Sequence, residues 1–134
     1  MSLDMRVEPG RDYLTIFVSG TFALQLANAL TPRILDACAE HRASRLLLDV
    51  RAVKGTLWVA ERFIYSETFA RLYMERRAAG KLDHVQIACV GTSPVIDPQR
   101  FGEKVARARG LPLKVSTDIE EALAWLGVNP PASA

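Results

Sequence analysis

The chain has 134 residues, of which 49% are apolar and 24% are charged, and its formal net charge is +2. This composition excludes a disordered chain and predicts one globular domain with its own hydrophobic core. The near balance of 17 basic and 15 acidic residues gives no reason to expect nucleic acid as a partner. No apolar run approaches the ~20 residues that span a membrane, and the initial MSLDMRVEPG lacks the apolar core of a signal peptide. We therefore expect a cytoplasmic protein without a membrane span.

The first two predicted elements form a β-hairpin. Residues 3–8 alternate weakly between apolar and polar side chains, and residues 9–12 (PGRD) are a turn signal. Residues 13–19 (YLTIFVS) are rich in strand formers, so they predict the second and more buried strand. Gly20 is expected to end it.

Helical spacing of apolar residues begins at Phe22 and continues to His41. Pro32 interrupts this pattern because it lacks a backbone N–H, which a helix tolerates only in its first turn. Thr31 is a suitable N-cap for a helix with Pro32 at its first position. The sequence therefore predicts either a kink there or a short helical turn followed by a main helix from about Pro32.

A buried strand and the longest helix follow. Residues 45–50 (RLLLDV) form a short apolar run that predicts a central strand buried on both faces. Residues 51–55 are expected to connect it to a helix that begins at Thr56 or Leu57. Gly80 stands where glycine usually ends a helix.

Two further strand–helix pairs complete the domain. Residues 84–90 (HVQIACV) predict a buried strand, and Asp97 followed by Pro98 predicts the start of the next helix, which Gly110 ends. Residues 113–116 predict a short last strand.

The last helix is expected to begin with a capping box made by Thr117 and Glu120. We predict a single domain over residues 1–127 and a flexible C-terminal tail over residues 128–134. The element order is β-β-α-β-α-β-α-β-α. This order predicts an α/β fold with a mixed, mostly parallel five-stranded sheet, an initial hairpin and four helices.

Four local patterns occur along this layout: YLTIFVSGTF, RLLLDVRAVKG, VQIACVG and the ending STDIEEALAWL. Over nearly the full chain, they and the element order resemble the STAS domain of bacterial anti-sigma factor antagonists and sulfate transporters. More narrowly, they resemble the bacterial STAS/SEC14-like proteins. The resemblance implies a regulatory module, and its SEC14-like part implies lipid binding.

The start of the long helix departs from the phospho-switched STAS proteins. In those proteins a D-S-S-G motif opens the second helix, and its serine accepts phosphate from a kinase. The corresponding residues here are Leu57-Trp58-Val59-Ala60, which include neither serine nor aspartate. Thr56 is the only hydroxyl close by, and it is expected to cap the helix, so the phosphorylation switch of those proteins is not expected here.

Catalytic signatures are absent from the sequence, so we expect neither an enzyme nor a cofactor. The glycines form no phosphate-binding loop, and no nucleophile elbow occurs. Cys38 and Cys89 are expected to be small buried hydrophobes, although a redox pair or a metal site is the alternative. His41 and His84 are far apart in sequence and are expected to be structural.

Polar residues follow two predicted parallel strands, where ligands bind in open α/β sheets. Asp49 and Arg51 lie at the end of one strand, and Thr92 and Ser93 follow the next. They predict a polar ligand edge, with a solvated loop edge as the alternative. For Asp49 a structural role is favoured, since buried carboxylates persist when they are hydrogen-bonded.

The long helix has two apolar faces when its residues are placed at 100° steps. The expected core face consists of Val59, Ala60, Phe63, Ala70 and Met74. The expected outward face consists of Trp58, Tyr65, Phe69 and Leu72, with Arg62 and Arg76 among them. An exposed face of this composition predicts an interface with a second copy of the chain or with a regulatory protein.

Two alternatives to that interface remain open. The face and residues 20–30 could enclose a groove for a small apolar or lipid-like ligand. Otherwise, the segment after Gly20 or the first helix covers the face within one molecule.

Overall fold

The computed structural model describes residues 1–128 and contains five strands and four helices in the predicted order. The strands are β1 (Leu3–Pro9), β2 (Leu14–Thr21), β3 (Arg45–Lys54), β4 (Gln86–Val90) and β5 (Leu113–Ser116). The helices are α1 (Leu24–Glu40), α2 (Val59–Ala78), α3 (Phe101–Ala108) and α4 (Ile119–Leu126).

The strands form one sheet in the spatial order β1-β2-β3-β4-β5. β1 pairs with β2 antiparallel, and every other neighbouring pair is parallel. The predicted fold class, a mixed and mostly parallel sheet with an antiparallel edge strand, is therefore confirmed.

The central strand β3 is buried on both faces, as its apolar run predicted. Leu46 and Leu48 point to the face that packs against α1, α2 and α3, and they belong to the larger hydrophobic core. Leu47 points to the opposite face, where it packs with residues of α4. Because side chains alternate along a strand, one apolar run supplies both cores.

Strands β2 and β3 are longer than predicted. β2 continues through Gly20 to Thr21, and β3 continues to Lys54, because their pairing resumes after an irregularity between Phe17 and Ser19. Gly20 has a φ of +122°, and a Cβ atom on it would lie 2.1 Å from the carbonyl oxygen of Ser2. Only glycine fits there, so Gly20 serves a close backbone approach and does not end the strand.

Helix α1 is one element that includes Pro32 in its interior. The prediction of a main helix beginning at Pro32, with Thr31 as its cap, is wrong. Thr31 is fully buried, and its hydroxyl donates to the carbonyl oxygen of Ala27 at 3.2 Å. That bond to the preceding turn is available to a threonine inside a helix.

The other helix starts are shifted from their predicted positions. α2 begins at Val59, and the Glu61 carboxylate accepts a hydrogen bond from the Trp58 N–H at 2.9 Å. α4 is capped by Asp118, which accepts from the Glu120 N–H at 2.9 Å. The predicted cap at Thr117 is wrong because Ser116 accepts from the Asp118 N–H and makes the turn one residue later.

The end of α2 and the C-terminal tail were also predicted from the sequence. Gly80 follows the end of α2 with a φ of +72°, as predicted. Val128, which was assigned to the tail, is buried in the smaller core beside α4. The rest of the predicted tail lies outside the described residues.

Candidate functional site

The face of α2 that was predicted to point outward points inward. Phe69 is only 5% exposed, and Tyr65 and Leu72 are half-buried against the larger core. The rings of Phe22, Tyr65 and Phe69 form two successive edge-to-face contacts, with centroids 6.5 Å and 6.0 Å apart. The prediction that Tyr65, Phe69 and Leu72 are exposed is wrong, because α1 and the segment after Gly20 cover them.

Arginine side chains hold this inward face in place. Arg76 pairs with Asp36 of α1. Arg62 donates from Nη1 to the carbonyl oxygen of Val95 at 2.7 Å and from Nη2 to that of Pro94 at 2.5 Å. Both arginines of the predicted surface therefore tie α2 to its own molecule.

The predicted core face of α2 is mostly solvent-exposed. Val59 is 69% exposed, Phe63 37% and Met74 43%, and Ala60 is also exposed. Only Ala70 is buried as predicted. The buried residues of α2 are Ser66, Phe69, Ala70 and Tyr73, and they lie between the two predicted faces. Helical spacing groups residues into faces but does not say which side of the helix meets the sheet.

Tyr73 fixes the direction of α2. Its hydroxyl is buried, accepts a hydrogen bond from the Val85 N–H at 3.0 Å and faces the Val85 carbonyl oxygen at 3.4 Å. Tyr73 was not among the residues predicted to form either face of α2. Its partner is twelve residues away, beyond the end of the helix, so no local pattern could have identified it.

A cavity of about 140 Å³ lies where the ligand groove was predicted, between α2 and residues 20–30. The lining is mainly apolar and comes from the sheet and from helices α1 to α3. Representative lining residues are Val18, Phe22, Leu30, Val53, Phe69 and Ala106. Such a cavity offers contact area to an apolar group and few hydrogen bonds to water.

Charged residues also line this cavity, next to α3. Asp97 accepts hydrogen bonds from the N–H groups of Gln99 at 3.0 Å and Phe101 at 3.1 Å. The first of these bonds is the main reason that the pKa of Asp97 lies below its ordinary value. Glu103 is buried and accepts from the Val115 N–H at 2.6 Å. Asp97 holds the loop before α3, and Glu103 ties α3 to β5. The predicted helix start at Asp97 is wrong, because α3 begins at Phe101.

The two thiols are held in the protonated state. Burial raises the pKa of Cys38 to about 12, and burial followed by the charge of Asp49 raises that of Cys89 to about 12. Burial likewise raises the pKa of Tyr65, which lines the cavity together with Cys89. Such groups are poor nucleophiles. Among residues 1–128, no three of the side chains His, Cys, Asp and Glu are grouped to hold a metal ion.

The predicted polar ligand edge is divided in the structure. Asp49 is 5% exposed and forms a bidentate ion pair with Arg51. The Arg51 Nε lies 3.0 Å from Oδ1 and its Nη2 lies 2.7 Å from Oδ2. This pair lines a shallow depression beside β1 and β2 that Thr92 and Ser93 do not line. Thr92 and Ser93 follow β4 outside this depression, so a ligand site over all four residues stays a prediction.

An exposed apolar surface remains at the start of α2. It consists of Trp58, Val59, Phe63 and Ile64, and we call it the α2 surface. Trp58 is 72% exposed and Ile64 44%. Of the residues predicted to form the interface, only Trp58 belongs to it. No helix within residues 1–128 is both long and apolar enough to cross a membrane.

Comparison with known proteins bears on the fold. No protein-family model and no curated protein matches the chain. An anti-sigma factor antagonist from Mycobacterium paratuberculosis is similar in structure, with a TM-score of 0.55 and 20% identity over 94% of this chain and 95% of that one. An uncharacterised DUF3478-family protein with a SpoIIAA-like fold, from Shewanella loihica PV-4, gives a TM-score of 0.51 and 21% identity over 93% and 94%. These likenesses establish the fold of the chain, and it is the STAS-like fold that the sequence predicted.

Proposed function

We propose that this chain is a non-enzymatic regulatory module that associates with a second copy of itself through the α2 surface. The observation that carries the proposal is the exposure of four large apolar side chains on two successive helical turns. Contiguous exposed apolar side chains usually mark an interface, and tryptophan and phenylalanine supply large contact areas. The proposed interface is therefore on α2, as the sequence predicted, but apart from Trp58 it consists of other residues of that helix.

The charges beside the α2 surface favour self-association. Glu67 pairs with Arg109 at 3.1 Å, and Arg71 pairs with Glu75 at 3.3 Å. With Glu61, which accepts from the Trp58 N–H, the rim therefore carries charges of both signs. A two-fold interface brings the same patch of both subunits together, so a rim of mixed sign avoids the repulsion that a rim of one sign would cause.

The fold supports a regulatory role. One structural neighbour is named as an antagonist of an anti-sigma factor, which means that it acts on another protein. The phosphate-accepting serine of the switched STAS proteins is absent from the start of α2 here. We therefore assign the regulatory contact to apolar association at the position where those proteins are phosphorylated.

Sedimentation velocity over a range of concentrations tests the proposal. The wild-type protein is expected to dimerise, and the double variant Trp58→Asp/Phe63→Asp is expected to remain a monomer. The matched control is Ala29→Asp/Ala39→Asp, which adds the same charge at exposed positions of α1 and is expected to dimerise. A wild-type protein that is monomeric at every concentration, or a dimeric Trp58/Phe63 variant, would overturn the proposal.

A second candidate function is the binding of a small apolar or lipid-like ligand in the cavity. The supporting observation is a cavity of about 140 Å³ whose lining is mainly apolar. An apolar cavity of about 150 Å³ in another protein stays dry and binds benzene. The volume thus suits a ring or a short alkyl segment, and a longer acyl chain would have to extend past the loop that Arg62 holds.

A larger side chain inside the cavity tests ligand binding, and a control variant tests whether any change comes from lost stability. Ala27 of α1 lines the cavity, whereas Ala37 of the same helix is buried but does not. Ala27→Leu is expected to fold with unchanged or higher stability, and Ala37→Leu to lose about 1–3 kcal/mol through overpacking. Native mass spectrometry and thermal shifts with fatty acids of graded length then measure binding. No bound mass and no shift for the wild-type protein would exclude this function, as would equal shifts for wild type and Ala27→Leu.

A further inference from the structure

A second concavity lies where the parallel strands begin, whereas the apolar cavity reaches the ends of those strands. It measures about 160 Å³ and is formed by the hairpin turn between β1 and β2 and by the turn after α1. Its charged or titratable lining residues are Arg11, Asp12, Tyr13, His41, Arg42 and Arg45. His41 was expected to be structural, and no sequence pattern connected these residues.

The charge of this concavity is unbalanced. Three guanidinium groups face one carboxylate, which gives a local excess of +2, equal to the formal net charge of the whole chain. Within residues 1–128, none of the three arginines forms an ion pair with a carboxylate, whereas Arg51, Arg76, Arg100 and Arg109 each form one. A concave site lined by one sign of charge concentrates oppositely charged ligands.

The backbone of Arg42 is a second, independent feature of this concavity, and among residues 1–128 the other non-glycine residue with a positive φ is Arg100, before α3. Each of the other helices is followed at its end by a glycine with positive φ: Gly80 at +72°, Gly110 at +92° and Gly127 at +76°. At the end of α1 this conformation is taken by Arg42, with a φ of +50°. Glycine adopts the left-handed region freely and arginine does so at a steric cost. A strained residue of this kind is a reason to look for a function of its side chain.

The end of α1 is otherwise well closed. The N–H groups of His41, Arg42 and Ala43 donate to the carbonyl oxygens of Ala37, Ala39 and Cys38 at 3.0, 3.2 and 2.9 Å. Glycine at position 42 would preserve these backbone bonds and would relieve the strain. The arginine side chain is therefore not needed to end the helix.

We propose that this concavity binds a compact phosphate-type oxyanion, namely a phosphate monoester or a pyrophosphate group. Arginine presents planar N–H donors that match the oxygens of such groups. A concavity of about 160 Å³ has room for one or two phosphate groups. The site is separate from the α2 surface and the apolar cavity, so it stands whether or not those functions hold.

Isothermal titration with inorganic pyrophosphate tests the site, with sodium chloride used to match ionic strength. The wild-type protein is expected to bind one equivalent. Arg42→Gly is expected to bind at least about tenfold more weakly, since a hydrogen-bonded ion contact is lost, while its melting temperature stays equal or rises. Arg33→Gln removes one charge from an exposed position of α1 outside the concavity and is expected to bind as the wild type does.

Several results would overturn the proposal. They are no saturable binding at millimolar pyrophosphate, wild-type affinity in both Arg42→Gly and Arg45→Gln, or equal weakening by Arg33→Gln. Vesicles of phosphatidylcholine with and without phosphatidic acid identify the source of the phosphate. Binding to phosphatidic acid vesicles that Arg42→Gly abolishes indicates a lipid headgroup, whereas pyrophosphate binding without vesicle binding indicates a soluble phosphate compound.

Discussion

The two faces of α2 carry similar amounts of apolar side chain and occupy opposite environments. On the inward face, Tyr73 is fully buried and Phe69 is 5% exposed. On the outward face, Val59 is 69% exposed and Phe63 37%. Apolar content therefore does not decide which face packs against the sheet.

Polar anchors distinguish the two faces. The inward face is bonded to distant segments by the Tyr73 hydroxyl at Val85, by Arg62 at Pro94 and Val95, and by Arg76 at Asp36. The Arg71–Glu75 pair on the outward face joins neighbouring turns of the same helix, so it would form in either orientation. Long-range polar partners thus fix the orientation, and the apolar residues left outside become available for association.

The largest expected effect is a difference in stability between two variants, each of which removes one phenylalanine ring from one face of α2. Phe69→Ala is expected to lower the free energy of unfolding by about 3–5 kcal/mol, because it empties a buried site next to the cavity. Phe63→Ala is expected to lower it by less than about 1 kcal/mol, because the ring is already partly hydrated. Urea denaturation at low protein concentration measures both values. Equal losses would mean that the two faces do not differ as the structure shows.

The next largest effect is expected from removing the Tyr73 hydroxyl on the inward face. Tyr73→Phe is expected to lower the free energy of unfolding by about 1–3 kcal/mol, because the buried Val85 N–H loses its acceptor. Urea denaturation gives the loss, and faster amide exchange at Val85 locates it. Tyr13→Phe is the matched control, since the Tyr13 hydroxyl makes no hydrogen bond to the described residues, and it should change stability by less than about 0.5 kcal/mol. An unchanged stability of Tyr73→Phe would remove the hydroxyl as an anchor.

The contrast between α1 and α2 shows what the sequence could predict. α1 has one apolar stripe, so its direction follows from its pattern. The residues Ala27, Leu30, Ile34, Ala37 and Cys38 share this stripe at helical spacing and are buried, whereas His41, beyond the helix end, is exposed. α2 has two stripes, and the pattern neither says which one faces the sheet nor groups every residue correctly, since Trp58 is exposed and Ala70 is buried.

The candidate sites show the same limit. The position of the cavity between α2 and residues 20–30 could be predicted because both segments are apolar and follow neighbouring strands. The contribution of the loop after β4 could not, since Arg62 and Val95 are 33 residues apart. The basic concavity also joins two turns that are distant in sequence, so no spacing rule connects Arg11 with Arg42.

A smaller effect is expected from the contact between α2 and that loop. Arg62→Met keeps most of the apolar stem but removes both bonds to the carbonyl oxygens of Pro94 and Val95. We expect a loss of about 1 kcal/mol, since the guanidinium is only partly shielded from water, and faster amide exchange in residues 91–100. Arg71→Met on the outward face breaks an exposed pair and should lose about 0.3 kcal/mol. Unchanged exchange in the loop of Arg62→Met would show that the loop is held without this arginine.

The smallest effect concerns Asp97, whose carboxylate organises the loop that Arg62 holds. Its folded pKa is lowered, mainly by the Gln99 N–H, so its contribution is present above the ordinary value of 3.8 and is lost as the pH falls through the folded pKa. Because this carboxylate is well hydrated, we expect the contribution to be below about 1 kcal/mol. Asp97→Asn keeps one acceptor oxygen but no charge, so it should be slightly less stable than the wild type at pH 7, and the difference should shrink as the pH falls below 3.8 toward 2. Urea denaturation of both proteins at the two pH values measures this difference, and a gap that persists unchanged in acid would assign the effect to side-chain shape instead of charge.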